Sequence, residues 1–379
     1  MNMIQQFYLP IKVLFGPGSI GQIGREAKNY GSRVMVVTYP DIQKLGYLDI
    51  VLKDLESNGM QVEVFKDLEP NPRCTTIDRA ARIAREHNID LIIGLGGGSA
   101  MDAAKGIALA SSGEAPVWDY VMNTAQAGGR VPALIQMPTF AGTGSELNQI
   151  AVFTNWENHE KRVIFNENLW AKVAVIDPAL TVTVPGKLTA GGGVDILSHI
   201  MECYLMPEKP LPMNDAIREA VMKVVVQTLP KVLADLSDGD ARSQLSWAST
   251  IASSNLSRLG GSVGSMTCHG IEHAVSGYYD INHGAGLATL LPAWMKQIYT
   301  ARKERFDLLG RNVFGKTDGL TAFTEWLDEV GMRLRLRDLG CELERAEEIA
   351  DIALKVWDYS PHPTIMDAET IARIYRNAW

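Results

Sequence analysis

Short apolar runs alternate with helix-period patterns along the first half of the chain. Runs that are apolar on both faces predict strands of a parallel sheet covered on its two sides. The alternation of strands and helices at this pitch is typical of an α/β domain. The predicted strands are 11–15, 33–38, 61–65, 90–95, 132–137 and 173–176, and the predicted helices between them are 21–30, 47–57, 75–86 and 100–110.

The pattern changes after Pro185, where strand signals almost disappear and amphipathic or apolar helical runs follow one another. A chain of 379 residues favours two domains rather than one core. We therefore predict a Rossmann-like α/β dinucleotide-binding domain over 1–182 and an all-helical metal-binding domain over 183–379. The predicted helices of the second domain are 215–235, 242–260, 286–300, 319–330, 344–357 and 367–377.

Two glycine-rich turns follow predicted strands of the first domain. Gly94–Ser99 opens a helix whose first turns contain Asp102, and Pro138–Glu146 combines two threonines with two glycines. Glycines let a backbone approach a ligand closely, and the free N–H groups of a helix start favour a diphosphate. Taken singly, each segment is equally compatible with a tight or capping turn without a ligand. Two such turns at strand ends of one sheet predict a nucleotide site.

Four of the seven histidines accompany a carboxylate in the second domain. Asp195 and His199 are four residues apart, so on a helix they share one face, while His269, His273 and His283 fall within fifteen residues. An isolated Asp/His pair is more often a charge interaction at a helix start. The whole cluster instead predicts a divalent transition-metal site. Cys268 is a possible ligand, but a buried thiol is the better interpretation.

One carboxylate and three imidazoles around a divalent ion leave a net charge of about +1 and room for an oxygen ligand. Such a centre acts as a Lewis acid on a carbonyl or an alkoxide. Combined with a nicotinamide from the first domain, it predicts hydride transfer between an alcohol and an aldehyde or ketone. If three imidazoles suffice, His273 is left as a proton relay, a substrate contact or a support for the ligands.

Composition narrows the possible partners and compartment. The chain is 46% hydrophobic and 21% charged with a net charge of −8, and it has no basic patch for a nucleic acid. Its four cysteines lack a CxxC spacing, which favours reduced thiols. The N-terminus lacks the pattern of a signal peptide, and no apolar run is long enough to span a bilayer. We predict a cytoplasmic protein with no membrane partner.

The motifs resemble those of a known enzyme family. Gly96–Lys105 and Pro138–Glu146 are similar to the cofactor-binding motifs of the iron-containing (group III) alcohol dehydrogenases, and Gly193–His199 and His269–Gly284 resemble that family's metal motifs. The resemblance covers essentially the whole chain. The sequence of Ile271–Ser276 is similar to the corresponding segment of butanol dehydrogenases and related broad-range aldehyde reductases. It implies an enzyme that interconverts small primary alcohols and aldehydes.

Carried over residue by residue, the resemblance implies a ligand set and a cofactor site. The metal, Fe²⁺ or Zn²⁺, would be held by Asp195, His199, His269 and His283, with His273 lining the site without ligating. The diphosphate would lie on the turn, and three further side chains would surround the nucleotide. The implied cofactor residues are Gly96, Gly97, Gly98, Ser99, Asp102, Thr139 and Thr143. The family also implies a homodimer or larger homo-oligomer.

The position that follows the second predicted strand bears on the choice of cofactor. Family members that prefer NAD(H) typically have an acid there, where it meets the ribose hydroxyls. In this chain the position is Tyr39, and the nearest carboxylate is Asp41. Loss of the acid relieves repulsion of a 2′-phosphate, whereas Asp41 could restore it. We expect NADP(H) or NAD(H), with the balance slightly towards NADP(H).

Two other classes share some of these features. A cyclising lyase of the dehydroquinate synthase type has the same two-domain plan, but it needs a cationic pocket, and the segments near the predicted metal hold few Lys or Arg. It would consume a sugar phosphate without net change in nicotinamide absorbance. A nucleotide- and metal-binding protein without turnover would bind NADPH tightly yet reduce no aldehyde.

Overall fold

The chain forms two compact units, which a computed structural model describes over residues 7–257 and 266–379. The sheet unit comprises residues 9–158 and 162–184. The helical unit comprises the described residues of Pro185–Trp379, the short segment His159–Lys161 and residues 7 and 8. Residues 1–6, on which the expectation about a signal peptide rests, lie outside the described residues. No helix within the described ranges combines the length and apolarity needed to cross a membrane.

Residues 7–257 and 266–379 contain eight strands, and six of them form one parallel sheet in the order β1-β8-β5-β4-β2-β3. The other two, β6 and β7, pair separately as a two-stranded sheet. The strands β1 to β8 are Lys12–Phe15, Arg33–Val37, Gln61–Phe65, Leu91–Gly96, Ala133–Pro138, Ile150–Asn155, Glu160–Phe165 and Val173–Ile176.

Both faces of the sheet are buried at its central strands, which explains why β2, β4, β5 and β8 are mainly apolar. Along β2, Met35 and Val37 pack into one core cluster while Val34 and Val36 pack into the other. The first cluster includes residues of α3, α4 and α5, and the second includes residues of α1 and α2. The parallel α/β prediction is therefore confirmed. The helices α1 to α5 are Ile23–Ala27, Tyr47–Ser57, Cys74–Glu86, Gly98–Ser111 and Val117–Val121.

Three parts of the sheet unit differ from the prediction or were missed by it. The helix predicted over 21–30 is only the short α1, preceded by a 3-10 turn at Ser19–Gln22. Helix α5 and the β6/β7 hairpin were not predicted. The hairpin was missed because polar residues interrupt its apolar alternation, including Glu160 and Lys161, which are nevertheless buried.

Beyond Pro185 every regular element in the described part of the chain is helical, as predicted. One predicted helix was too long. The segment 242–260 is helical only to Ala252, where serines 253 and 254 begin a turn and the Ser254 hydroxyl donates to the Ile251 carbonyl (2.8 Å). Residues 258–260 lie outside the described ranges. The helices α6 to α14 are Gly186–Leu205, Pro212–Ala234, Gly239–Ala252, Thr267–Tyr279, His283–Ile298, Lys303–Leu309, Gly319–Glu329, Ala346–Val356 and Ala368–Ala378.

Glycines allow α6 and α10 to pack with their backbones in contact. A Cβ atom on Gly284 would lie 2.2 Å from the carbonyl oxygen of Gly191, and this neighbour is backbone that cannot turn aside. The approach brings the start of α10, with His283, beside the α6 turns that carry Asp195 and His199. The glycine run in α6 thus serves helix packing near the predicted metal ligands.

A fully buried arginine ties three helices of the helical unit together. Arg305 on α11 donates to both carboxylate oxygens of Asp215 on α7 (2.6 and 2.8 Å) and to the Tyr204 carbonyl on α6 (2.6 and 2.8 Å). Its guanidinium also lies 4.1 Å from the centre of the Tyr204 ring. The buried charges of Arg305 and Asp215 offset each other, so removal of Arg305 leaves the Asp215 carboxylate with only Arg218, 3.9 Å away, as a counter-charge.

We expect Arg305→Met to lower the free energy of unfolding by about 3 kcal/mol, because Asp215 would lose its hydrogen-bonded cation and keep only the more distant Arg218 (3.9 Å). Denaturant unfolding followed by circular dichroism measures the change. The exposed Arg311→Met is the matched control and should change stability by less than about 0.5 kcal/mol. Equal effects of the two substitutions would contradict this account of the buried pair.

Candidate metal centre and nucleotide site

The predicted nucleotide residues lie at the carboxyl ends of three neighbouring strands in the sheet unit. The chain runs outward from β2 to β3 and then returns to the other side of β2 with β4, so β2 and β4 flank a topological switch point. Ligands of open α/β sheets bind outside the strand ends at such a point. Tyr39 follows β2, Gly96 ends β4, and Gly96 is in register with Pro138 at the end of β5.

Contacts between these loops bring most of the predicted residues together. A Cβ on Gly96, whose φ is +155°, would lie 3.2 Å from the Tyr39 ring, and one on Gly98 would lie 2.6 Å from the Thr143 methyl carbon. Burial raises the pKa of Tyr39, and a hydrogen bond with Thr139 offsets only part of this increase. Glycine is needed at both positions because a side chain would separate the turns.

The start of α4 presents backbone donors at this edge. Gly97 is the N-cap residue and, like Ser99 in the first turn, is half-buried; the described residues provide no side-chain cap there. The first N–H groups of a helix have no partner within the helix, and with the helix dipole they favour an anion. The geometry suits the predicted diphosphate position on Gly96–Ser99.

Asp102 joins the two turns instead of standing free at the edge. Its two carboxylate oxygens accept from the Ser145 hydroxyl (2.6 Å) and from the Val152 backbone N–H (2.9 Å). Lys105, one turn further along α4, donates to four oxygens of the segment 145–150 at 2.6–3.1 Å. Burial lowers the pKa of Lys105 to about 8, so the ammonium form persists at neutral pH.

Asp41 is the predicted cofactor residue least integrated into this edge. It lies in the 3-10 segment Pro40–Leu45, its side chain is 72% exposed, and it pairs with Lys44 (2.6 Å). The lysine offsets its charge. The carboxylate closest in sequence to Tyr39 is therefore already neutralised in part, and this bears on discrimination against a 2′-phosphate.

The four predicted metal ligands converge in the helical unit. Asp195 and His199 lie one turn apart on α6, His269 lies in the first turn of α9, and His283 is the first residue of α10. The Asn282 side chain caps α10 by accepting from the Ala285 N–H (3.0 Å) and so holds the helix start that carries His283.

Distances around one oxygen define the centre of the cluster. Oδ1 of Asp195 lies 3.6 Å from Nε2 of His283, 3.9 Å from Nε2 of His269 and 3.4 Å from Nδ1 of His199. Asp195, His199 and His269 form one group whose donor atoms all lie within 4.8 Å of one another, and His283 lies outside that group. Donors bound at 2.0–2.2 Å to a tetrahedral cation are separated by about 3.4 Å. The group of three therefore fits one divalent ion, and His283 lies close enough to Oδ1 of Asp195 to join it.

Two of these atoms are buried without a hydrogen bond. Among the described residues, Oδ1 of Asp195 and Nε2 of His269 have no hydrogen-bond partner, and their separation of 3.9 Å is too long for one. An unpaired buried carboxylate oxygen is costly. A cation between the two atoms would satisfy both, so the residues fit a metal on structural grounds.

The protonation states also suit metal ligands. Burial alone would raise the pKa of Asp195, but His199, His269 and His283 lower it to about 2. Burial and the charge of Lys161 lower the pKa values of His273 and His283 well below their usual range. Burial opposes a charge on His269, yet Glu202 and Asp195 raise its pKa to about 9. A bound cation replaces that proton, since ligands bind metals in their deprotonated form.

His273 lies beside the cluster, one turn after His269 on α9. Its ring centre is 5.7 Å from that of His283 and 5.1 Å from the Trp357 ring, which meets it edge-on. Nδ1 of His273 is buried, and it has no hydrogen-bond partner within the described ranges. The ring lines the site, as expected of a residue that does not belong to the Asp195 group. Glu272, His273 and His283 nevertheless form a second possible ligand group.

Three charged residues of the site were missed by sequence reasoning. Glu202 and Glu272 lie behind the ligands on α6 and α9, and Lys161 lies near the start of β7. The glutamates follow a ligand by seven and three residues, spacings that would have placed them on the ligand face of each helix. Nothing in the local pattern signalled Lys161. Cys268 is a buried thiol and belongs to neither possible ligand group.

Comparison with known proteins gives the same family for both units. The model of "Iron-containing alcohol dehydrogenase" matches residues 10–178, and that of "Fe-containing alcohol dehydrogenase family, C-terminal" matches residues 189–379. NADH-dependent butanol dehydrogenase A of Clostridium acetobutylicum is 35% identical over 92% of each chain. Probable NADH-dependent butanol dehydrogenase 2 of Bacillus subtilis is 35% identical over 93% of each.

Solved structures agree with the sequence comparison. The crystal structure of NADH-dependent butanol dehydrogenase A from Thermotoga maritima superposes with a TM-score of 0.94 at 30% identity, covering 99% of this chain and 98% of the other. The resemblance inferred from the motifs is thereby confirmed. With both halves matched by its models, the chain belongs to the iron-containing alcohol dehydrogenase family.

Proposed function

We propose that the protein is a metal-dependent, NAD(P)-linked alcohol dehydrogenase that interconverts small primary alcohols and aldehydes. Its family makes it an oxidoreductase that acts on alcohols. The single observation that carries the metal dependence is the convergence of three imidazoles on Oδ1 of Asp195, an oxygen with no protein hydrogen bond in the described structure.

The reaction converts RCH₂OH and NAD(P)⁺ into RCHO, NAD(P)H and a proton. A divalent ion, Fe²⁺ or Zn²⁺, when held by Asp195, His199, His269 and His283, would supply Lewis-acid polarisation, and the nicotinamide would accept or give the hydride. The chain's own task is to hold the donors rigidly and to exclude water, which the burial of Asp195 and His269 supports. His273, neutral and with a buried unpartnered nitrogen, is suited to contact substrate or accept the proton.

The cofactor site proposed for the sheet unit uses the strand ends beside the switch point. The diphosphate would lie on Gly96–Ser99 at the uncapped start of α4, with Tyr39, Thr139 and Thr143 around the nucleotide. Asp102 would act indirectly by holding the turn at Ser145. We also propose a homodimer or larger assembly, in line with the family resemblance, which light scattering of the purified protein would test.

The choice between the two nicotinamide cofactors rests on the charge near Tyr39. Several named relatives are NADH-dependent. In this chain no carboxylate occupies position 39, and Asp41 is exposed and paired with Lys44. We therefore propose that NADP(H) is accepted, with a slight preference over NAD(H).

Asp195→Asn removes the charge of the central donor and keeps its shape. We expect loss of the bound metal and a fall of at least about 10³-fold in kcat/KM for butanal, because several kcal/mol of charge stabilisation disappear. Metal analysis of protein purified without oxygen, together with NADH and NADPH oxidation rates, measures both effects and separates iron from zinc.

The exposed Asp351→Asn on α13 is the control for this substitution and should keep both metal and activity. Full turnover of Asp195→Asn in the absence of metal would contradict the proposed mechanism. Tight NADPH binding by the wild-type protein without reduction of any aldehyde would contradict the proposed activity itself.

Tyr39→Asp tests the cofactor preference. A carboxylate about 5 Å from a 2′-phosphate would cost about 2 kcal/mol, so we expect kcat/KM for NADPH to fall about 30-fold. The value for NADH should change much less. Tyr39→Asn removes the ring without adding charge and should affect both cofactors alike. If the wild-type protein already rejects NADPH, or if Tyr39→Asp leaves its use unchanged, the proposed preference is wrong.

A further inference from the structure

Two fully buried glutamates lie directly behind the proposed ligands. Glu202 on α6 and Glu272 on α9 are each 0% exposed, and neither belongs to the Asp195 donor group. A buried carboxylate is costly unless hydrogen bonds or a counter-charge compensate it. The partners that compensate these two therefore indicate what they do.

Glu202 is held by α9. One of its oxygens accepts from the Cys268 backbone N–H (2.7 Å), and the other forms a short hydrogen bond with Nδ1 of His269. With Nδ1 engaged as the donor to Glu202, Nε2 of His269 is the nitrogen left to face Asp195. Within the described residues no Lys or Arg forms an ion pair with Glu202. The negative charge of Glu202 on His269 is therefore not offset by a neighbouring cation of that kind.

Glu272 has the same relation to the next ligand. One oxygen forms a short hydrogen bond with Nδ1 of His283, the other accepts from the Ser276 hydroxyl, and Nε2 of His283 faces Asp195 at 3.6 Å. Here a cation is present, since Nζ of the buried Lys161 lies 3.8 Å from Glu272. A lysine of the segment His159–Lys161 thus offsets this second carboxylate.

The third proposed ligand provides a contrast within the same site. Nδ1 of His199 is also engaged, with the backbone carbonyl of Asp195 (2.9 Å) on its own helix, and it lies 3.4 Å from Oδ1 of the same residue. A carboxylate partner fixes the ring orientation and tautomer as a carbonyl does, and it also makes the imidazole a stronger donor to a metal. The site therefore contains two imidazoles held by carboxylates outside the proposed ligand set and one held by a residue within that set.

We propose that Glu202 and Glu272 are positioning residues of the metal centre, which hold His269 and His283 with Nε2 directed to the ion and strengthen their binding. Lys161 balances Glu272 and leaves Glu202 as the stronger support. The inference rests on the proposed metal centre and extends it to groups that touch neither metal nor substrate.

Charge counting agrees with this role. Asp195, Glu202 and Glu272 contribute three negative charges and Lys161 contributes one positive charge, while metal-bound imidazoles are neutral. The sum is −2, which a divalent cation cancels. Without the two glutamates, the same ion would be held in a buried site of net positive charge.

Metal affinity of the apoprotein tests the proposal without reference to catalysis. The full chain is stripped with a chelator and titrated with Zn²⁺ against a chromophoric competitor. We expect Glu202→Gln to weaken Zn²⁺ binding about 10- to 100-fold, because the amide oxygen can still accept from Nδ1 of His269 but the charge is lost. The amide N–H₂ then faces the Cys268 N–H, so the apoprotein should also be less stable. A circular dichroism spectrum of the apoprotein that matches the wild type at the assay temperature distinguishes a weakened ligand from a damaged fold.

Companion variants make the outcome decisive. Glu272→Gln combined with Lys161→Gln removes one charge of each sign and should weaken binding less than Glu202→Gln; this pair carries the test if Glu202→Gln does not fold. Glu219→Gln, a half-buried glutamate on α7 that accepts from Tyr204 and Asn312, should bind Zn²⁺ as the wild type does.

The possible failures are distinct. A wild-type apoprotein that does not bind Zn²⁺ would overturn the proposed metal centre itself. Wild-type binding with unchanged affinity in Glu202→Gln and in the double variant would overturn only the positioning role. An equal loss in Glu219→Gln would also overturn it, because the effect would then be general to glutamates of the helical unit.

Discussion

The attraction between a buried carboxylate and the rings that surround it is the interaction on which the helical unit depends. Asp195 sits on α6, while two of its three imidazole neighbours come from α9 and α10. Each of those rings is held from behind by a further carboxylate. The three helices are therefore joined by ionic and hydrogen-bonded contacts as well as by apolar packing. The contact between Gly191 on α6 and Gly284 on α10 lets those two helices approach closely enough for their side chains to meet.

The sheet unit brings its loops together by close backbone contacts rather than by a cluster of charges. Its proposed nucleotide edge is made by loops after β2, β4 and β5, and small residues let those loops touch. Asp102 and Lys105 then link α4 to the segment after β5 through hydrogen bonds with Ser145. These side chains fix the loops, and the proposed diphosphate would bind the N–H groups at the start of α4.

Much of this was predictable because the determining patterns are local. Strands buried on both faces are continuously apolar, and the Asp195/His199 spacing places both side chains on one face of a helix. The β6/β7 hairpin was not predictable in this way, since Glu160 and Lys161 are buried by contacts with residues far along the chain. Glu202 and Glu272 escaped notice because carboxylates on helices usually face solvent, and their partners are tertiary. The role of Asp102 beside the nucleotide stays a prediction, and its hydrogen bonds with residues 43 and 50 positions away are contacts that no local pattern signals.

The position of Lys161 in the chain has a consequence for dissecting the protein. All four proposed ligands lie after Pro185, so a fragment that starts there would contain the complete donor set. It would lack the segment His159–Lys161 and therefore the ammonium that lies 3.8 Å from Glu272. In such a fragment Glu272 would keep its hydrogen bonds with His283 and Ser276 but would lose that counter-charge. The proposed ligands of the helical unit thus come from one continuous stretch of chain, whereas one of its balancing charges comes from a tripeptide within the other half of the chain.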